Sequence, residues 1–70
     1  MGQQVFEGGV YRHYKGGSYT TVCEATEEAT GRSVVVYRNA EGRVWTRPTK
    51  DFFSVANQDG RLVARFAHCP

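Results

Sequence analysis

The sequence predicts a small all-β domain of five short strands curled over one core, with a single helical turn after the fourth. Three observations carry this expectation. Turn signals recur at short, even spacing: Gly16–Gly17, Thr30–Gly31, Asn39 to Gly42 and Asp59–Gly60. The pieces between them are rich in Val, Tyr, Thr, Phe and Trp, which suit a pleated, half-buried surface. No window carries a convincing apolar period of 3.6 residues.

The first strand is expected over residues 10–15. There Val10, Arg12 and Tyr14 alternate with Tyr11, His13 and Lys15, and neither set is purely apolar, so its buried face stays open. The second, over 18–26, is equally open, with Tyr19, Thr21, Cys23 and Ala25 opposing Thr20, Val22, Glu24 and Thr26. In the third, over 33–38, Val34 to Tyr37 is apolar on both faces and belongs inside the sheet. Pro48 ends the fourth strand, over 43–47, because it lacks the donor a ladder needs. Thr49 to Ser54 then make one helical turn, with Thr49 as a candidate cap and Phe52 or Phe53 plugging one end of the core. The last strand, over 61–66, has the cleanest alternation. Leu62, Ala64 and Phe66 are expected in the core, and Arg61, Val63 and Arg65 in water. A meander barrel buries one face of all five strands and removes their free edges.

Seventy residues hold one domain, expected over residues 9–66, with a lead-in over 1–8 and a tail over 67–70. Hydrophobic residues make up 40% of the chain and include four Tyr, four Phe and one Trp, enough to fold rather than stay disordered. The net charge of +2 is well short of a dedicated nucleic-acid binder, although Arg outnumbers Lys among the nine basic residues. Two cysteines, Cys23 and Cys69, are too few for a disulfide framework. The polar opening Met1 to Gln4 does not read as a signal peptide, and no apolar run approaches a membrane span. A monomer in a reducing cytoplasm, away from membranes, is the expectation.

One ordered set of motifs is specific. It comprises Gly9-x-Tyr11-Arg12-His13-x-Lys15-Gly16, Tyr19, Thr30-Gly31, Val35-Val36-Tyr37-Arg38, Trp45-x-Arg47-Pro48 with Phe52, and Arg65-Phe66. Over nearly the whole chain, from Gly9 to Phe66, it resembles the bacterial domain of unknown function 1653 (DUF1653). The resemblance implies an SH3-like barrel, found mainly as a small free-standing bacterial protein, and implies no activity, substrate or cofactor. The chain departs from that pattern at Glu27–Glu28, Asn39–Ala40 and Asp51.

Seven residues are the candidates for a binding face: Tyr11, His13, Lys15, Tyr37, Trp45, Arg47 and Arg65. Tyr11, His13 and Lys15 share one face of the first strand, and Trp45 and Arg47 share one of the fourth. Joined by Tyr37, they make an aromatic and basic groove suited to a protein segment or peptide. The alternative is single-stranded RNA or DNA, held by base stacking on the aromatics with Arg12, Lys15, Arg38, Arg47 and Arg65 on phosphates. The plainer reading is that Tyr11, Tyr37 and Trp45 fill the core, that His13 is a hydrogen-bonded structural residue, and that Arg47 pairs with Glu7, Glu24 or Asp51. Catalysis is not expected, since nothing supplies an oxyanion hole or a phosphate loop beside a Cys–His pair. Neither metal nor cofactor is expected. Cys23, His13, His68 and Cys69 lack the paired spacing of a zinc site.

Overall fold

In the computed structural model, Val5 and residues 7–69 are described. Most of the lead-in expected over residues 1–8 lies outside them, as does Pro70. Seven strands and one short helix follow in order: β1 (Val10–His13), β2 (Ser18–Thr26), β3 (Ser33–Asn39), β4 (Val44–Pro48), α1 (Thr49–Phe52), β5 (Val55–Gln58), β6 (Arg61–Ala64) and β7 (Phe66–Cys69). The fold is all-β. Five strands form one antiparallel sheet in the order β4-β3-β2-β1-β7, and β5 and β6 form a separate hairpin. Among the described residues no hydrogen-bonded ladder joins β4 to β7, so the main sheet has two margins.

Strand pairing decides the faces that alternation left open. Tyr11 stands opposite Tyr19, Thr21 opposite Tyr37, and Tyr37 opposite Trp45, so these side chains share one face. Val35 joins them, since it lies two residues from Tyr37 and opposite Arg47. The register of β2 shifts between Thr21 and Cys23, and this bulge turns Cys23 to the reverse face with Val36. As its double-sided apolar run requires, β3 sits between two neighbours.

Onto the shared face folds α1. It follows Pro48, and no side chain caps its start; Thr49 is its first residue, not its cap. The Thr49 hydroxyl instead meets the Ser33 hydroxyl at 2.7 Å, and Ser33 donates to Glu24 at 2.5 Å. This polar tie holds the helix against β2 and β3. Phe52, wholly buried, is thereby pushed into the centre of the core. Its ring stacks on Phe66 at 4.3 Å and meets Tyr11 edge-on at 5.2 Å, and Tyr37 lies 5.6 Å from both Phe rings. Such pairs add about 0.5–1.5 kcal/mol each beyond the area they bury.

The segment 61–66 is not the continuous strand its alternation suggested. A bend at Arg65 divides it, and only Phe66 of its expected apolar face enters the core. Leu62 is 74% exposed and Ala64 is exposed, because β6 pairs with β5 rather than with the main sheet. The main sheet is completed instead by β7, which pairs with β1 and takes in residues 67–69 expected as a tail. The β5–β6 turn places both Asp59 (φ 53°) and Gly60 (φ 85°) in the left-handed region, the geometry that suits a two-residue hairpin to strand twist.

This packing ranks the apolar side chains. Phe52→Ala is expected to cost about 3–5 kcal/mol, as other buried aromatic truncations do, whereas Leu62→Ala stays within about 0.5 kcal/mol. Urea unfolding followed by circular dichroism measures both. Similar losses in the two variants would overturn the core described above.

Candidate functional site

The sheet face that holds the core is only partly covered by α1. Beyond the helix, Tyr19, Tyr37, Trp45 and Arg47 line a hollow of about 200 Å³. Register explains the gathering. Trp45 and Arg47 lie two apart on β4 and so point the same way, Tyr37 stands opposite Trp45, and Tyr19 stacks edge-on to Tyr37 at 5.5 Å. Tyr37 is spent largely on the core, Tyr19 is half-buried, and Trp45 is 41% exposed.

At the floor of the hollow is Arg47. Its Nη1 donates to the Asp51 carboxylate at 2.5 Å, an ion pair between β4 and α1 four residues on. Its guanidinium lies 5.6 Å from the Phe66 ring centroid. Hydrogen bonding to Tyr37 and then to Asp51 raises its pKa, against the opposing effect of burial. Its Nε is buried and has no hydrogen-bond partner among the described residues. Of the three carboxylates weighed as partners for this Arg, Asp51 is the one found.

His13 packs beside Tyr19, one of the residues that line the hollow. Its ring packs edge-on against Phe66 at 4.9 Å and Tyr19 at 6.4 Å, and tilts over Tyr14 at 4.8 Å. The Lys15 backbone N–H donates to Nδ1 at 3.2 Å, so the neutral ring carries its proton on Nε2. Burial, then the charges of Arg47, Arg65 and Lys15, push its pKa below the ordinary histidine value. On its far side His13 also lines a second hollow of about 420 Å³, with Arg12, Tyr14, Lys15, Gln58 and Val63 among its walls.

The other candidates divide. Tyr11 is core: 3% exposed and packed on Phe52 and His68. Lys15 is exposed in the turn after β1, its Nζ 5.7 Å from the Tyr14 ring centroid. Arg65 acts as a tie across the bend, donating from Nε to Ser54 Oγ at 2.9 Å and from Nη2 to the Val55 carbonyl at 3.4 Å, with Tyr14 beneath it at 5.8 Å. Arg12 and Arg38 stand on the reverse face of the sheet, since Arg38 pairs with Thr20 and Val44, and Arg12 with Ser18. Cys23 also faces the reverse side, away from His13. No three His, Cys, Asp or Glu gather at metal-binding separation among the described residues. Residues that the sequence reading left out of the binding face are Tyr19 and Arg43. Arg43 lies 5.3 Å over the Trp45 ring.

The His13 environment has a consequence for stability. The folded ring resists protonation, so the unfolded chain takes up the proton first as pH falls below about 6.5. His13 therefore contributes stability that is intact above that pH and is lost as pH drops towards the depressed folded value. Urea midpoints are expected to decline between pH 7.5 and 5.5 in the wild type and to flatten in His13→Gln. An unchanged slope in the variant would refute this.

Comparison with known proteins agrees with the fold. The family model described as "Protein of unknown function (DUF1653)" matches residues 9–68. A solved structure, that of a protein belonging to DUF1653 from Bordetella bronchiseptica, is 32% identical, with a TM-score of 0.82, over 91% of this chain and 87% of that one. No curated protein matches the chain with significant similarity. No helix among the described residues is long and apolar enough to cross a membrane. With the family model spanning both the sheet and the hollow, the chain belongs to the DUF1653 family.

Proposed function

We propose that this chain is a non-catalytic interaction module that holds an extended protein segment against the hollow of Tyr19, Tyr37, Trp45 and Arg47. The observation that carries the reading is Trp45. It is large, apolar and 41% exposed, on a strand at the margin of the sheet, with a hollow beside it. Exposed tryptophans flanked by tyrosine and arginine have the composition of interface hot spots. A marginal strand also leaves main-chain donors and acceptors on one side, where an added strand pairs.

The position of the cations favours a protein segment over a nucleic acid. Arg12 and Arg38 lie behind the sheet, so the basic residues do not form one track for a phosphate backbone. His13 and Cys23, the pair that nucleophilic catalysis would use, face opposite sides. Free thiols at Cys23 and Cys69 suit a reducing cytoplasm, where we place the domain.

Amide-shift titration of the ¹⁵N-labelled domain with a pool of random heptapeptides is expected to move Tyr19, Tyr37, Trp45 and Arg47. Trp45→Ala should abolish those shifts and cost no more than about 1 kcal/mol of stability, as a partly exposed side chain does. Silence with peptides, together with shifts from single-stranded oligonucleotides that fade with salt, would replace this reading with the nucleic-acid one.

A further inference from the structure

We infer that the segment taken by this hollow is acidic, and that Arg47 binds its carboxylate in exchange for Asp51. The inference rests on the peptide reading above and adds the chemistry of the ligand.

Cations outnumber carboxylates around the hollow: Arg43, Arg47, Arg65 and Lys15 against Asp51 and Glu41. Of the rings that line the hollow, Trp45 has a cation of the chain over it, and Tyr14, at the neighbouring hollow beyond His13, has two. Arg43 covers Trp45 at 5.3 Å, and Lys15 and Arg65 cover Tyr14 at 5.7 and 5.8 Å. Arg47 lies over Phe66 beneath them. An aromatic-lined hollow otherwise attracts ammonium groups through the ring faces. Here the most exposed of those faces, that of Trp45, is already occupied by Arg43, and a lysine or methylated lysine entering would meet the charges of Arg43 and Arg47. The acidic groups facing this region are Asp51, held by Arg47, and Glu41, which lines a shallow depression with Arg43 and Trp45.

Arg47 is prepared for exchange rather than saturated. Asp51 takes Nη1 and Tyr37 a further hydrogen bond, while Nε, which is buried, has no hydrogen-bond partner among the described residues. A guanidinium has five donors and binds a carboxylate best through two parallel bonds. The Asp51 side chain is 46% exposed, so it is already partly solvated and can turn out to water. A glutamate or aspartate of the ligand can therefore take the Nη1 position while Asp51 turns outward, with the ligand's stem lying against Trp45 and Tyr19. In this scheme Asp51 is a built-in competitor that sets affinity and discourages weak anions.

The test uses the domain's one tryptophan, which sits in the site and reports occupancy by its emission. Acetylated, amidated pentaglutamate, pentalysine and oligothymidylate are titrated at physiological salt. Pentaglutamate is expected to shift Trp45 emission saturably. Arg47→Gln should weaken it by about tenfold or more, Asp51→Asn should tighten it severalfold, and Arg38→Gln, on the reverse face, should leave it unchanged. The opposite signs of the Arg47 and Asp51 variants keep the test decisive even where Arg47→Gln perturbs packing on Phe66. Pentalysine binding equal to or tighter than pentaglutamate would overturn the inference and leave the peptide reading standing. So would weaker pentaglutamate binding by Asp51→Asn. A response to oligothymidylate alone would overturn both.

Discussion

The parallel stack of Phe52 on Phe66 is the contact on which the remainder of the domain depends. One ring comes from the turn of helix after β4, the other from the strand that closes the far side of the main sheet. Their 4.3 Å separation joins two segments that no backbone ladder connects, and Tyr11 and Tyr37 lock the pair from the strands beneath. Among the described residues the buried side chains gather in one hydrophobic cluster, and these two rings are at its centre. Aromatic rings bring large contact area at low rotamer cost, and this is how so short a sequence reaches a folded state.

The same stack shapes the site. Phe66 is buried beneath two polar groups: Arg47 lies over its ring, and His13 meets its edge. Core and site therefore share an atom-level boundary, and the electrostatics of the hollow follow from it. Burial and the neighbouring cations lower the pKa of His13, while Tyr37 and Asp51 raise that of Arg47. Side chains that would be mobile on an open surface are held by aromatic walls, which lowers the entropy a partner must remove on binding.

Much of this was readable in the residues, and the failures have physical causes. Pro48 announced the end of β4 because a missing N–H has only one meaning in a ladder. Val34 to Tyr37 announced an interior strand because apolar side chains on both faces need cover on both. Leu62 misled, since alternation shows that a strand has two faces without showing which sheet it joins. Its partner proved to be Val55–Gln58, four residues that carry too little apolar weight to announce a strand. Of the site, the shared faces of Tyr11 with His13 and of Trp45 with Arg47 followed from the two-residue period. That Tyr11 would be covered by Phe52 while Trp45 stayed open did not, because it depends on where α1 lands. Tyr19 was missed because the bulge after Thr21 hides the register of β2, and a bulge leaves no compositional mark here.

The independence of the β5–β6 hairpin bears on how such a chain can vary. Its ladder touches no strand of the main sheet, and its tip residues, Asp59 and Gly60, point into solvent. Residues inserted or removed there change no register among β1 to β4 and leave the hollow's geometry as it is. Length variation and recognition are thereby housed in different parts of one small polypeptide. That separation also marks the hairpin tip as the place to graft a reporter sequence or a second domain without disturbing what the sheet presents.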